Sequence, residues 1–498
     1  MSKKVLPESN ISAVVFIVLL FFIPGWSQAD PKQVQPGIMY ATELSVTEGR
    51  TDYLTYAVSV PEDAVAMKIE IFHAPADLDI FVNHGAEVES YETARMFGIS
   101  EQYNESVFFT RFSDPPLEPG IYYFDIAYQR HRLPVKNNEI LDTIPFSFKI
   151  ELYTETIEAE LSPETPYRAT LTPGDGMFKT FTVDVPTDVS DLRIDLYGSA
   201  ADLDLLVKEG RYVQNYFDAD YAVENFLTRE HILISGDSTK PLEGGTYYVT
   251  VLDQVAAEYP IDFTIQARFS PEPPEELLEI PPMPFPSRSL DRILYSTVEI
   301  TSSSGKGSGC FVSPDGLIVT SWHVIKGYSG EADPDLTVAV TLDTQLPPVE
   351  LFKAKVIEVL EDRDLALIEV DTGLYGQPIP DRYSFPYCLI NMDHEYRIGD
   401  YIGCSGYPGI GGTGSRASIT FTRGILSGFE KTDYGTILKT DGLINAGSSG
   451  GAAVDRDFRL IGLPTIIMEE AAGQLGFIHP VTLFPKKWLE LIQARGGR

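Results

Sequence analysis

Residues 55–82, TYAVSVPEDAVAMKIEIFHAPADLDIFV, lie over residues 180–207, TFTVDVPTDVSDLRIDLYGSAADLDLLV, at a displacement of 125 residues. The displacement still holds between Tyr122 and Tyr247, so the repeat runs without a gap through a stretch the size of a domain. The first half of the chain must therefore fold as two copies of one architecture. Within each copy, KIEIF and RIDLY alternate apolar with polar residues, as do IYYFDIAY and TYYVTVLD, which follow the turn signals EPG and EGG. Period-two segments joined by turns predict half-buried strands, and hence a jelly-roll-like β-sandwich over 36–152 and another over 160–268.

A chain of 498 residues exceeds what a single core organises, and its 26 Tyr and 27 Phe fall mostly in strand-like runs. The expected fold class is all-β throughout. A formal net charge of −34 would repel phosphate backbones and anionic membrane surfaces, which excludes nucleic acid as a partner. Residues 1–29 read as a signal peptide: Lys3 and Lys4, an apolar run from Ile11 to Ile23, then Ser27-Gln28-Ala29 as the cleavage site. The run is shorter than the roughly 20 residues of a spanning helix, and no later segment is long and apolar enough. The expectation is a secreted or periplasmic protein with no membrane span after cleavage.

Three cysteines, Cys310, Cys388 and Cys404, permit at most one internal bridge. A Cys388–Cys404 pair is one reading, and three buried free thiols the other. Asp77 and Asp79, like Asp202 and Asp204, stand two apart on a strand and so share a face. Such pairs are weak candidates for a calcium site, against a solvated acidic face, because the remaining oxygen ligands of a cation cage are not legible. The ADLDIFV and ADLDLLV strands, with the later GIYYFDI and GTYYVTV, resemble the bacterial pre-peptidase C-terminal domain. In that family the module usually follows a peptidase; here two copies come first, which argues for a tether to a surface or polymer rather than a removable tail. The proline-rich SPEPPEELLEIPPMPFPSR then predicts a stiff, extended linker over 269–288, ahead of a third unit at 289–498.

Gly447-x-Ser449-x-Gly451 formally fits the nucleophile elbow of α/β-hydrolases. That fold needs an acid and then a histidine after the serine, and only His479 follows. The opposite order is present. GKGSGCFVSPDGLIVTSWHVIKG, 305–327, reads as a β-hairpin running into His323; Asp364 opens the alternating strand DLALIEV; and Ser449 lies in INAGSSGGAAV. These motifs resemble trypsin-like serine proteases of the HtrA/Deg type. The resemblance implies a chymotrypsin-like double β-barrel, with His323 and Asp364 from the first barrel and Ser449 from the second. It implies a serine endopeptidase acting on proteins or peptides without a cofactor: His323 as general base and acid, Asp364 orienting it, Ser449 as nucleophile, and the N–H groups of Gly447 and Ser449 as oxyanion hole.

In the family these motifs resemble, the position six before the nucleophile floors the primary specificity pocket; the resemblance puts Leu443 there, and its apolar side chain implies cleavage after small or medium apolar residues. Ser448 stands where this family carries Asp or Asn; a hydroxyl cannot pair with a new N-terminal ammonium, so activation by that route is not expected. The chain stops just past the second barrel, so no PDZ domain is expected. The competing reading is an adhesive or polymer-binding protein with a vestigial protease fold, and a third is a protease that cuts its own linker. Gly409-x-Gly411-x-x-Gly414 resembles a dinucleotide fingerprint, but strand-like ITFTRGILSG follows it rather than a helix. His73, His84, His131, His231 and His394 show no metal-ligand spacing, and no HExxH or CxxC motif occurs.

Overall fold

The computed structural model describes residues 31–47, 51–89, 93–99, 105–128, 135–136, 139–172, 178–223, 225–253, 259–409, 418–465 and 475–496. Residues 1–29, read above as a signal peptide, and His131, Gly411 and Gly414 lie outside the described residues. The described residues form two compact bodies, one built from 31–61, 68–107 and 119–151, the other from 62–67, 108–118 and 152–496.

The first copy of the repeat contains a five-stranded sheet in the order Lys32–Gln33, Asp52–Val60, Gly120–Tyr128, Asp79–His84, Met96–Gly98. Its four-stranded sheet runs Met39–Ser45, Thr143–Thr154, Ala64–Phe72, Ser106–Thr110. The second copy repeats both orders: Ile157–Glu160, Phe178–Val185, Gly245–Leu252, Asp204–Glu209, Tyr221–Val223, and Tyr167–Leu171, Ile261–Arg268, Asp191–Tyr197, Glu230–Ser235. The alternating residues do what their period demands in the first copy, where Ile69 and Ile71 are buried and Lys68 and Glu70 pair at 3.0 Å on the half-exposed face.

In the second copy the polar face is not solvated. Arg193 and Asp195 are both buried and form a multidentate pair, with Arg193 Nε 2.8 Å from Asp195 Oδ2 and Nη2 2.7 Å from Oδ1. Arg193 also donates to the carbonyl of Pro271 and lies 5.8 Å from the Tyr375 ring, so chain from beyond the sandwich covers it. The alternation gave the strand correctly and the solvation of its polar face incorrectly, because a covering layer leaves no trace in a local pattern.

The third unit consists of two closed six-stranded barrels. Thr297–Ser302, Gly305–Phe311, Leu317–Thr320, Leu336–Val340, Val349–Leu360 and Leu365–Gly373 close in the order first, second, third, sixth, fifth, fourth. Tyr401–Gly406, Thr420–Thr432, Gly435–Thr440, Ala452–Val454, Leu460–Thr465 and Gly476–Pro480 close in the same order. The proline-rich connector is extended around a short helix, Glu275–Leu278, and is fastened to the first barrel. Met283 is buried in that barrel's core, Tyr383 Oη donates to the Pro281 carbonyl at 2.6 Å, and Gln377 Nε2 donates to Leu278 at 3.2 Å.

All three cysteines are buried, and none is bridged in this structure. The reading of a Cys388–Cys404 pair is corrected: the neighbour of Cys388 is Cys310, not Cys404. The backbone N–H of Cys388 donates to the Phe311 carbonyl at 2.8 Å, which lays the inter-barrel connector along the strand bearing Cys310. Cys404 lies in the separate core of the second barrel.

Candidate active site

His323 sits on the one-turn helix Trp322–Ile325 that directly follows the strand Leu317–Thr320. Trp322, Val324 and Ile325 are buried in the first-barrel core, which anchors the turn and leaves the intervening imidazole side chain 48% exposed. Asp364 lies between the 3-10 turn Glu361–Arg363 and the strand Leu365–Gly373, with φ +50°, a left-handed conformation that aspartate tolerates better than most residues. That conformation aims its carboxylate at the histidine. His323 Nδ1 lies 2.8 Å from Oδ2 and 3.0 Å from Oδ1, and the backbone N–H of His323 donates to Oδ1 at 2.9 Å.

Burial opposes ionisation of Asp364, yet the hydrogen bonds and charge interaction with His323, aided by His479, outweigh it and hold the carboxyl below its ordinary range. An ionised carboxylate can only accept, so Nδ1 of His323 carries the proton and Nε2 is left as an acceptor facing away from Asp364. This arrangement makes the outer nitrogen a base.

Ser449, 5% exposed, lies in the loop between the strands Gly435–Thr440 and Ala452–Val454. The loop is coiled on itself: Ser448 N–H donates to Asn445, Gly451 N–H to Ser448, and Gly450 N–H to Pro464. Among the described residues, no backbone carbonyl accepts from the N–H of Gly447 or Ser449. Gly447 has φ +91° and Gly450 φ +82°, and a Cβ on Gly450 would sit 2.3 Å from the Ser308 carbonyl and 2.4 Å from Thr320 Oγ1. The Ser449 loop therefore presses on the segment that leads into His323. No hydrogen bond joins Ser449 to His323 among the described residues.

Two further residues belong to this site and escaped sequence reasoning. Ser308 spans the barrels: its Oγ donates to the Gly447 carbonyl at 2.7 Å and accepts from Tyr407 N–H at 2.9 Å, while its own N–H donates to the Ser449 carbonyl at 2.9 Å. It is the middle residue of Gly307-Ser308-Gly309, a motif whose sequence signal marks a hairpin but not a strut. His479 is 2% exposed, on the last strand of the second barrel, with Tyr434 Oη 3.4 Å from its Nε2. Burial pulls its pKa down, the Asp364 charge pushes it up, and His323 lowers it again, so it interacts with both partners of the pair. As the lone histidine after Ser449, it offered a signal only for a different fold.

Leu443 is 58% exposed, and its carbonyl accepts from Thr422 Oγ1 at 2.8 Å. The acidic pairs of the sandwiches lie far along the chain from these residues. In the second copy Glu230 joins Asp202 and Asp204; burial first, then the charges of Asp204 and Asp202, push its pKa up to about 10, so it is protonated near neutrality. Among the described residues no group of three His, Cys, Asp or Glu side chains is arranged to hold a metal ion. None of their helices is long and apolar enough to cross a membrane.

Residues 307–463 match the trypsin-like peptidase domain family. The chain is similar to the "Probable periplasmic serine endoprotease DegP-like" of Rhizobium meliloti (strain 1021), with 32% identity over 179 residues, 35% of this chain and 31% of that protein. The protein of the same name from Bartonella henselae is 32% identical over 178 residues, 35% of this chain and 30% of its own length. "Protease Do-like 1, chloroplastic" of Arabidopsis thaliana is 30% identical over 188 residues, 36% and 37% of the two chains. The chain thus spans about a third of the length of these curated relatives.

Proposed function

We propose that this protein is an exported serine endopeptidase of HtrA type that hydrolyses peptide bonds through His323, Asp364 and Ser449. The observation that carries the reading is the bidentate seat of the His323 ring on Asp364, with the Ser449 loop pressed against the chain that leads into that histidine. The serine hydroxyl is a weak nucleophile near neutral pH. Nε2 of His323 takes its proton as Oγ attacks the peptide carbon, then returns it to the departing amine. Asp364 holds the ring tautomer and stabilises the imidazolium. The N–H groups of Gly447 and Ser449 receive the oxyanion, a contribution of roughly 3 to 4 kcal/mol for a single donor.

Leu443, exposed and uncharged, offers a basic side chain of the substrate no counter-charge, which supports cleavage after small or medium apolar residues. The similarity to proteins named periplasmic endoproteases and the leader-like start of the sequence support export. The two sandwiches, which hold none of the three proposed catalytic residues, serve as the tether that holds the protease at a surface or polymer.

Labelling of the full chain with a fluorophosphonate probe tests the proposal. The adduct is expected on Ser449 alone, and the Ser449→Ala chain should take up no label. An intact, folded chain that remains unlabelled while still adhering to a polymer would support the adhesive alternative instead.

A further inference from the structure

We propose that Cys310 and Cys388 form a disulfide in the exported protein, a covalent tie between the first barrel and the connector to the second, leaving Cys404 as the single thiol. Cys310 lies on the strand Gly305–Phe311, and Cys388 on the chain between the barrels. Their sulfurs stand 2.8 Å apart, inside ordinary sulfur–sulfur contact, and both side chains are fully buried. The Cys388 N–H to Phe311 carbonyl bond holds the two backbones side by side, so the two sulfurs are brought together by the fold itself. Ser296 Oγ lies 3.1 Å from Cys388 Sγ and lines the same pocket. Among the described residues no sulfur is placed against Cys404, and burial pushes its thiol up to about 12, so it stays inert.

The two thiols sit in the core shared by the barrels, among Leu317, Leu367, Leu463 and Trp488. No oxidant reaches them there, so the bond must form while the chain is folding. One cysteine thiolate attacks a sulfur of a disulfide donor such as oxidised glutathione, giving a mixed disulfide and one glutathione thiolate. The second cysteine thiolate then displaces the remaining glutathione. The protein loses two protons and two electrons, and the donor gains both as two thiols. The bridge closes a stretch with a sequence separation of 78 residues, long enough to restrict the unfolded chain substantially. The oxidising surroundings rest on the export reading; the pairing itself rests on the geometry.

The test uses the full chain, unfolded and refolded in a glutathione redox buffer, then denatured in N-ethylmaleimide without reductant and mapped by mass spectrometry. The expected result is one alkylated residue, Cys404, and a Cys310–Cys388 cross-linked peptide that disappears on reduction. Cys404→Ala should keep the cross-link, and Cys388→Ala should abolish it. The oxidised protein should melt about 10 °C above the reduced one. Three alkylated cysteines, or a bridge to Cys404, would overturn the proposal. The same mapping on protein recovered from an exporting host separates the two readings: a bridge after refolding with three thiols in the recovered protein supports the pairing and counts against export.

Discussion

The two sandwiches and the two barrels are both doubled structures, but they use doubling in opposite ways. The sandwiches keep strand order and sequence together, at one displacement, so that equivalent residues stand on equivalent strands. The barrels keep strand order and divide the proposed catalytic residues: the first holds the His323–Asp364 pair, the second the Ser449 loop. Even the support is shared, since Ser308 of the first barrel fixes the carbonyls of Gly447 and Ser449 in the second. Copies that repeat a job can drift singly without loss of function, whereas partners that split one job cannot. Each half makes a prediction that could break the contrast.

The largest effect should come from Ser449→Ala, which removes the nucleophile from one barrel and leaves the other with nothing to activate. Turnover of an unfolded protein substrate should fall about a million-fold, as for loss of a triad nucleophile elsewhere. A fall of only a few-fold would mean that the chemistry is not divided in this way. Next is Gly450→Ala, whose Cβ must displace the Ser308 carbonyl at a backbone conformation suited to glycine. A shift of the loop by about an ångström should cost roughly a hundredfold in kcat, with the near-ultraviolet dichroism of the fold retained. Ser308→Ala deletes two side-chain hydrogen bonds and no reacting group. Each is worth about 1 kcal/mol, so a loss of up to about thirtyfold in kcat is expected with KM little changed, and a thermal midpoint that falls while kcat holds would make Ser308 merely structural.

What could be read from the sequence follows the same division. The repeat, the hairpin into His323 and the strand opened by Asp364 are local patterns, and the structure has each of them as a strand or turn at that place. The His323–Asp364 contact was implied by the resemblance of the two motifs to trypsin-like proteases, and the structure has the pair at 2.8 Å, one residue just after a strand and the other just before one of the same barrel. Ser308 was invisible because its partner Gly447 is 139 residues away, and a hydrogen bond across two barrels has no period. The nearness of Cys310 to Cys388 was missed for the same reason, and the covering of Arg193 and Asp195 was missed because burial by another unit leaves the alternation unchanged.

The smallest effect on activity, and the sharpest test of the sandwiches, is an exchange between equivalent positions. Asp125 of the first copy and Thr250 of the second are 125 residues apart, as are their neighbours Thr55 and Thr180. Thr180 and Thr250 share a buried hydrogen bond at 3.2 Å, while Asp125 is buried beside Thr55 with its pKa pushed to about 7, by burial first and then by Glu87. An unfolded aspartate titrates near 3.9. The folded chain therefore holds this proton more tightly, and stability is full below about pH 4 and falls as pH rises to about 7. The shift of about three units corresponds to at most about 4 kcal/mol. Asp125→Thr should thus raise the urea midpoint at pH 8, by an amount that shrinks toward pH 4, and Thr250→Asp should lower it at pH 8. Both variants should keep full turnover, because neither copy shares in the chemistry; an equal gain at pH 8 and pH 4 would show that the buried carboxylate is not the cause, and a lost activity would show that the copies are not interchangeable supports.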